Sequence, residues 1–226
     1  YDSKYDKKVT KDNQELNFIV SPTIKDQKDL LWAKATNQTM ANNSGTDKKV
    51  KFQFAHALSR LGYTVKLNKE YTGTTITLNK ITLAGSKDGN QKAFYPNGTI
   101  NLSTGIWTPS TSDEKLNFEW FTNTSGTELT TDATTNAVDN FLFVIPQDFS
   151  ASETDKLYVI VEYTIKGYNG VKTPMKNTVY QKLEKDFEQG KAYTINLFLG
   201  LTPIEFDVTT VEGWIDNNQG EINSWN

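Results

Sequence analysis

His56 is the only histidine in the 226-residue chain, and it lies in the segment VKFQFAHALSRL at residues 50–61. A lone histidine excludes a His pair or a multi-His metal site. Ser59 is near it in sequence, so two members of a Ser-His-Asp triad are at hand. No nucleophile-elbow motif accompanies them. His56 fits better as a structural residue, half buried and hydrogen-bonded at a strand end. The chain has no cysteine, which excludes disulfides, thiolate nucleophiles and Cys-ligated metals. Glycosidase chemistry needs two carboxylates at a set separation. Glu119 beside Trp120 and Glu162 beside Tyr163 have suitable types, but their alternation points them to a solvated sheet face. We therefore expect no enzyme, no cofactor and no bound metal.

Other residues suit binding rather than catalysis. Trp107, Trp120 and Phe121 are candidates for a sugar-stacking platform, with a place in the core as the simpler expectation. Trp107 is the least core-like, because it adjoins Thr108-Pro109 in an expected loop. Residues 216–221, DNNQGE, faintly resemble an oxygen-rich Ca²⁺ loop without its full ligand set. Asn37, Asn97 and Asn101 fall in glycosylation sequons, in a chain so rich in Asn and Thr that chance supplies them. Lys4, Lys7 and Lys8 form a cluster that suits protease access or a solvated terminus.

The elements that must position these residues read as β almost throughout. Leu16-Phe18-Val20, Leu116-Phe118-Trp120, Leu157-Val159-Val161-Tyr163-Ile165 and Tyr193-Ile195-Leu197-Leu199 all alternate. Ile76-Leu78 and Ile81-Leu83 form two short apolar pairs separated by Asn79-Lys80. Residues 141–145, FLFVI, are apolar throughout and end at Pro146, as expected of a strand covered on both faces. Asn169-Gly170 signals a type I′ hairpin, and Pro174 marks the returning strand as an edge. In residues 50–61 the pattern starts as a strand, then Phe54, Ala55, Leu58 and Leu61 fall at helical spacing, predicting a short helical turn. Short turns are also expected near residues 29–35 and 182–187.

Short strands with frequent turns indicate β-sandwich architecture. Gly85, Gly89, Pro96 and Gly98 cluster in a loop-like stretch, which places a boundary near residue 90. The expected domains are 1–90, short of its first strands, and 91–226. The hydrophobic fraction of 36% and aromatic fraction of 12% suit a folded chain. The net charge of −3 argues against nucleic acid and anionic membrane as partners. No window is apolar enough to cross a bilayer. The chain starts at Tyr1 rather than Met, which reads as a trimmed product whose leader is missing.

Three groups of residues together resemble the fimbrillin family, the pilin-like surface lipoproteins of Bacteroides-type bacteria. One is Leu30-Leu31-Trp32-Ala33 followed by the strand and His-Ala-Leu segment at 50–61. Another is Phe143-Val144-Ile145-Pro146-Gln147. The last comprises Phe187, residues 190–195 (GKAYTI), Ile204-Glu205-Phe206 and Val211-Glu212-Gly213-Trp214. The family usually has Trp at the position of Phe187 and an acidic residue at that of Gly213.

The resemblance implies two tandem transthyretin-like Greek-key β-sandwich domains with very little helix. It implies export to the outer membrane and cell surface as a lipoprotein, with membrane contact only through a lipid anchor on a removed N-terminus. It also implies a fimbrium in which a protease removes one strand and a neighbour's strand fills the groove. The partners would be other pilin subunits, and host or bacterial surface ligands. Ile204, Phe206 and Val208 have the alternation of a donor strand, with the last strand of their own domain as the simpler expectation. The alternative is a monomeric surface lipoprotein that binds a glycan or host protein without polymerising.

Overall fold

The computed structural model describes residues 14–35, 50, 52–135, 140–150, 154–201 and 205–211. Its strands are β1 (Glu15–Ile19), β2 (Leu31–Ala33), β3 (Phe54–His56), β4 (Ser59–Leu67), β5 (Thr75–Ala84), β6 (Asn97–Asn101) and β7 (Trp107–Pro109). They continue with β8 (Phe118–Glu128), β9 (Thr134–Thr135), β10 (Leu142–Val144), β11 (Tyr158–Lys166), β12 (Met175–Lys182), β13 (Ala192–Leu199) and β14 (Glu205–Val211).

Two large sheets form a sandwich. One runs β10-β4-β13-β14, with β9 also on β4; the other runs β12-β11-β5-β8. All their pairings are antiparallel except β4 with β13. The inward faces follow the alternation of the sequence. Leu61, Tyr63, Val65 and Leu67 of β4 and Tyr193, Ile195, Leu197 and Leu199 of β13 are buried. They meet Val159, Val161, Tyr163 and Ile165 of β11 and Phe118 and Trp120 of β8 in one apolar cluster. Tyr63 meets Trp120 edge-on across the sandwich, at 5.0 Å between ring centroids. A smaller sheet, β1-β6-β7, and the two-stranded sheet β2-β3 complete the described residues.

The Ile76-Leu78 and Ile81-Leu83 pairs belong to one strand, β5. Strict alternation would turn the second pair outward. Register shifts in both flanking pairings, around residues 78–82 of β5, add the extra residue that keeps all four side chains buried. The Asn169-Gly170 turn has positive φ at both residues, 51° and 73°. Its return strand β12 pairs only with β11, which makes it the edge that Pro174 indicated.

Several expectations are corrected. Residues 54–61 contain no helical turn: β3 ends at His56, Ala57 and Leu58 are buried, and β4 begins at Ser59. The helical spacing comes from a chain that leaves one sheet and enters another. Phe52 and Phe54 are exposed, at 55% and 64%, so that half of the segment is not core. Residues 31–33 form β2 rather than a turn. The apolar stretch at 141–145 is covered on both faces as expected, with Leu142, Val144 and Ile145 buried and Phe143 packed partly buried against the core, but it forms only the three-residue strand β10 at the edge of its sheet. The three larger sheets each unite strands from both sides of residue 90, so the strand pairing does not separate 1–90 from 91–226.

Aromatic side chains join the sheets at one end. Phe118 of β8 meets Phe94 at 5.3 Å, Phe94 meets Phe149 at 5.7 Å, Phe149 meets Phe187 at 5.9 Å, and Phe187 meets Tyr193 of β13 at 5.0 Å. Asp186 holds the loop at Phe149. Its carboxylate accepts from the Phe149 and Ser150 amides, both at 2.8 Å, and from the Ser150 hydroxyl at 2.6 Å. Partial burial works to raise the Asp186 pKa, and these bonds outweigh it and hold the carboxyl below its ordinary value.

Two predictions follow from this packing. Trp120→Ala should lower the unfolding free energy by about 3–5 kcal/mol in urea titration, because it empties the centre of the sandwich. A depressed folded pKa supplies stability that is full above the unfolded carboxyl value and lost as pH falls through the folded one. Wild type should therefore lose more stability than Asp186→Asn between pH ~5 and ~2, as read from denaturant midpoints across that range.

Candidate functional site

Pro146 stops β10, and Gln147 turns inward. Its amide donates to Phe187 O (3.1 Å), and the Phe187 amide donates back to Gln147 O (2.9 Å). The Gln147 side chain is buried and uses both ends. Nε2 donates to Ala93 O at 2.9 Å, and Oε1 accepts from the Tyr95 amide at 3.4 Å. Gln147 thus joins three separate segments, at residues 93–95, 147 and 187.

The same region receives the start of β4. The Gly190 amide donates to Leu58 O (3.0 Å) and the Arg60 amide to Lys191 O (3.0 Å). The buried Ser59 hydroxyl donates to Glu188 O at 2.7 Å. Gly190 has φ 69°, a conformation open to glycine, and a Cβ there would stand 3.2 Å from His56 O. His56 Nδ1 lies 2.6 Å from Asp29 Oδ2, which ties β3 to the segment before β2. The Trp107 indole N–H donates to Ala57 O at 2.6 Å.

These contacts surround a cleft of about 1190 Å³. Trp32, Trp107 and Ile106 wall it, and Gln147 and Phe187 line it from the core side. Gly105 has φ 79°, and a Cβ there would sit 2.5 Å from the Trp32 ring, so only glycine lets the ring lie against this turn. Gln189 bridges the two walls: with its amide oriented to match its neighbours, the nitrogen donates to Gly105 O (2.7 Å) and the oxygen accepts from Trp32 Nε1 (3.0 Å). At the rim, Asp155 accepts from the Tyr95 hydroxyl (3.1 Å) and the Lys115 ammonium (2.5 Å). That ammonium also lies 4.3 Å from the Tyr95 ring centroid. Partial burial, with the hydrogen bond to Asp155, raises the Tyr95 pKa.

The residues on this cleft include members of all three sequence groups: Trp32 and His56, Pro146 and Gln147, and Phe187, Gly190 and Lys191. A family model described as fimbrillin-like matches residues 3–214. The chain belongs to the fimbrillin-like family. No curated protein matches it. Among solved structures it is similar to a fimbrial protein from Bacteroides vulgatus ATCC 8482, with TM-score 0.69 and 20% identity over 89% of this chain and 68% of the other. It is also similar to a candidate cell adhesion protein from Bacteroides uniformis ATCC 8492, with TM-score 0.52 and 19% identity over 92% and 69%. At these identities the likeness is one of fold.

The fimbrillin-like chain places its sequence candidates as follows. Trp120 is 1% exposed and its indole N–H donates to Asn140 O at 2.9 Å, so it offers no face to a ligand. Trp107 is half buried and lines the cleft. Phe121 is half buried against the core. Glu119 pairs with Lys80 at 2.5 Å, and Glu162 lies exposed on the outer face of its sheet. Ser59 does not complete a triad with His56 and Asp29, since its buried hydroxyl donates to Glu188 O. The Asn101 side-chain oxygen accepts from the Ser103 and Thr104 amides and shapes the turn before β7. Phe206 and Val208 stand opposite Leu197 and Ile195 in the β13–β14 pairing, and Val208 packs partly buried against the core. Ile204, Asn37, Lys4, Lys7, Lys8 and residues 216–221 lie outside the described residues.

Among the described residues no group of three or more His, Cys, Asp or Glu is placed to hold a metal. No described helix is long and apolar enough to cross a membrane. Sequence reasoning missed Ile106, Gln189, Asp148 and Asp155 as neighbours, because they come from loops with no periodicity. The Gly105 that admits Trp32 was the one local signal.

Gln147→Leu keeps the volume and strands the Ala93 carbonyl and Tyr95 amide. It should destabilise the protein by about 1–3 kcal/mol in denaturant titration.

Proposed function

We propose that this fimbrillin-like chain is a non-enzymatic surface subunit, a pilus component or pilus-associated adhesin, that assembles by exchanging a β-strand between protomers. Membership of the fimbrillin-like family supports a pilus-type surface protein. The fimbrial description of one structural neighbour agrees with it. In this reading the protein is a lipoprotein held at the outer membrane by a lipid on its N-terminal part. The described strands are then one sandwich of a tandem transthyretin-like arrangement.

One observation carries the exchange mechanism. The last described strand, β14, lies at the edge of its sheet and pairs only with β13. An edge strand can leave without breaking the central β4–β13 pairing, and its ladder groups can be satisfied on another subunit. Its root is well held. The Tyr163 hydroxyl donates to Gly200 O at 3.3 Å, and the Leu201 amide donates to the Tyr71 hydroxyl at 3.1 Å. A Cβ on Gly200 would stand 2.4 Å from that Tyr71 oxygen, so a side chain there would displace the hydroxyl from these bonds. These contacts anchor the end of β13.

A second reading is a surface protein that binds a glycan or a host protein without polymerising. The cleft is the observation that favours it.

The double variant Ile204→Asp, Phe206→Asp should abolish fibres in electron microscopy and leave a folded monomer by circular dichroism. Wild-type fibre formation by that variant would remove the strand from the donor role.

A further inference from the structure

The chain leaves its last described strand beside the cleft. β14 runs antiparallel to β13, and Val211, where β14 ends, stands opposite Ala192, where β13 begins. The residues just before Ala192, from Glu188 to Lys191, all line the cleft. Gln189 among them reaches across to Gly105 O, next to Ile106. The chain therefore passes out of its sheet within a few residues of the Trp107–Ile106 wall. Residues 212–226 follow Val211 and lie outside the described residues. Their first large apolar side chains are Trp214 and Ile215. Three extended residues span about 10 Å, which is the reach from Val211 to Trp214.

The wall is apolar and open. Ile106 is 66% exposed beside the half-buried Trp107 ring, which the Ala57 bond and an edge contact to Phe18 hold in one orientation. The Trp32 ring lies against Gly105 on the same turn. At about 1190 Å³ the cleft has room for several side chains.

We propose that residues 212–216 of the same chain fold back into this cleft, with the Trp214 ring and Ile215 packed on the Trp107–Ile106 wall. Packing an indole and an isoleucine on an exposed apolar wall removes both surfaces from water. The tether selects the occupant. A segment joined by three residues to a strand end beside the cleft is held there at millimolar effective concentration, which a partner in solution does not match. A ligand for the cleft would have to displace Trp214. The inference needs β14 in its own sheet and makes no use of exchange between subunits. Fibre formation and docking within the monomer are therefore separate readouts.

The test places two cysteines in the full chain, which has none of its own. Asp148 is exposed and lines the cleft, so Asp148→Cys with Asp216→Cys reports docking while keeping Trp214 and the wall intact. Tyr180, 50% exposed on β12 of the other sheet, supplies the control pair, Tyr180→Cys with Asp216→Cys. A short bis-maleimide should link the first pair within the monomer, as read by intact mass after size exclusion, and leave the control pair unlinked. Adding Trp214→Asp or Ile106→Asp to the first pair should each slow linking about tenfold, because each takes a large apolar group out of the contact. Ile106 is exposed, so Ile106→Asp should keep the wild-type circular dichroism and carries the test even if Trp214→Asp does not fold. Four outcomes would each overturn the proposal. They are no link within the monomer, links only between molecules (which would make a second copy the occupant), equal linking of the control pair, or a rate that Ile106→Asp leaves unchanged.

Discussion

The two-way backbone bridge between Gln147 and Phe187 holds together what the rest of this structure needs. It sets Phe187 between Phe149 and Tyr193, and so completes the aromatic contacts that link β8 to β13. It also fixes the loop from which Gly190 and Lys191 receive the start of β4. Buried backbone groups must find partners, and here two irregular segments satisfy each other. Asp186, one residue before Phe187, secures the opposite side of the same loop through its bonds to residues 149 and 150.

A cleft arises where this junction meets the two small sheets. The β2–β3 pair contributes Trp32 and His56, and the β6–β7 pair contributes Ile106 and Trp107 on its connecting turn and strand. Most of the polar atoms around it are committed inside the protein, which gives the walls fixed orientations before any ligand arrives. The β14 edge lies on a different element from this cleft.

Much of the fold was legible because period-2 alternation is a local property. β4, β11 and β13 keep one face buried over their length, and their apolar residues reveal it directly. The Asn169-Gly170 turn and Pro174 were legible for the same reason, since φ and a missing N–H are properties of single residues. β5 was harder, because its bulge makes one strand resemble two. Residues 54–61 misled, because a change of sheet imitates a change to helical spacing. The pairing of strands across residue 90 left no local trace, since Gly- and Pro-rich connections look alike within a domain and between domains.

The sequence by itself determined the longer alternating strands and their buried faces, the absence of thiol and multi-histidine chemistry, and the family. Each depends on residue type and short-range spacing. Only the tertiary structure decided that Trp120 is core while Trp107 faces a cleft, although both flank polar residues in β-rich sequence. It decided too that His56 answers Asp29, and that Gln147 serves the Ala93 carbonyl and Tyr95 amide some fifty residues away. Those outcomes depend on which distant segments are brought together, and hydrogen-bond partners and shared burial are fixed only when the two sheets close on each other.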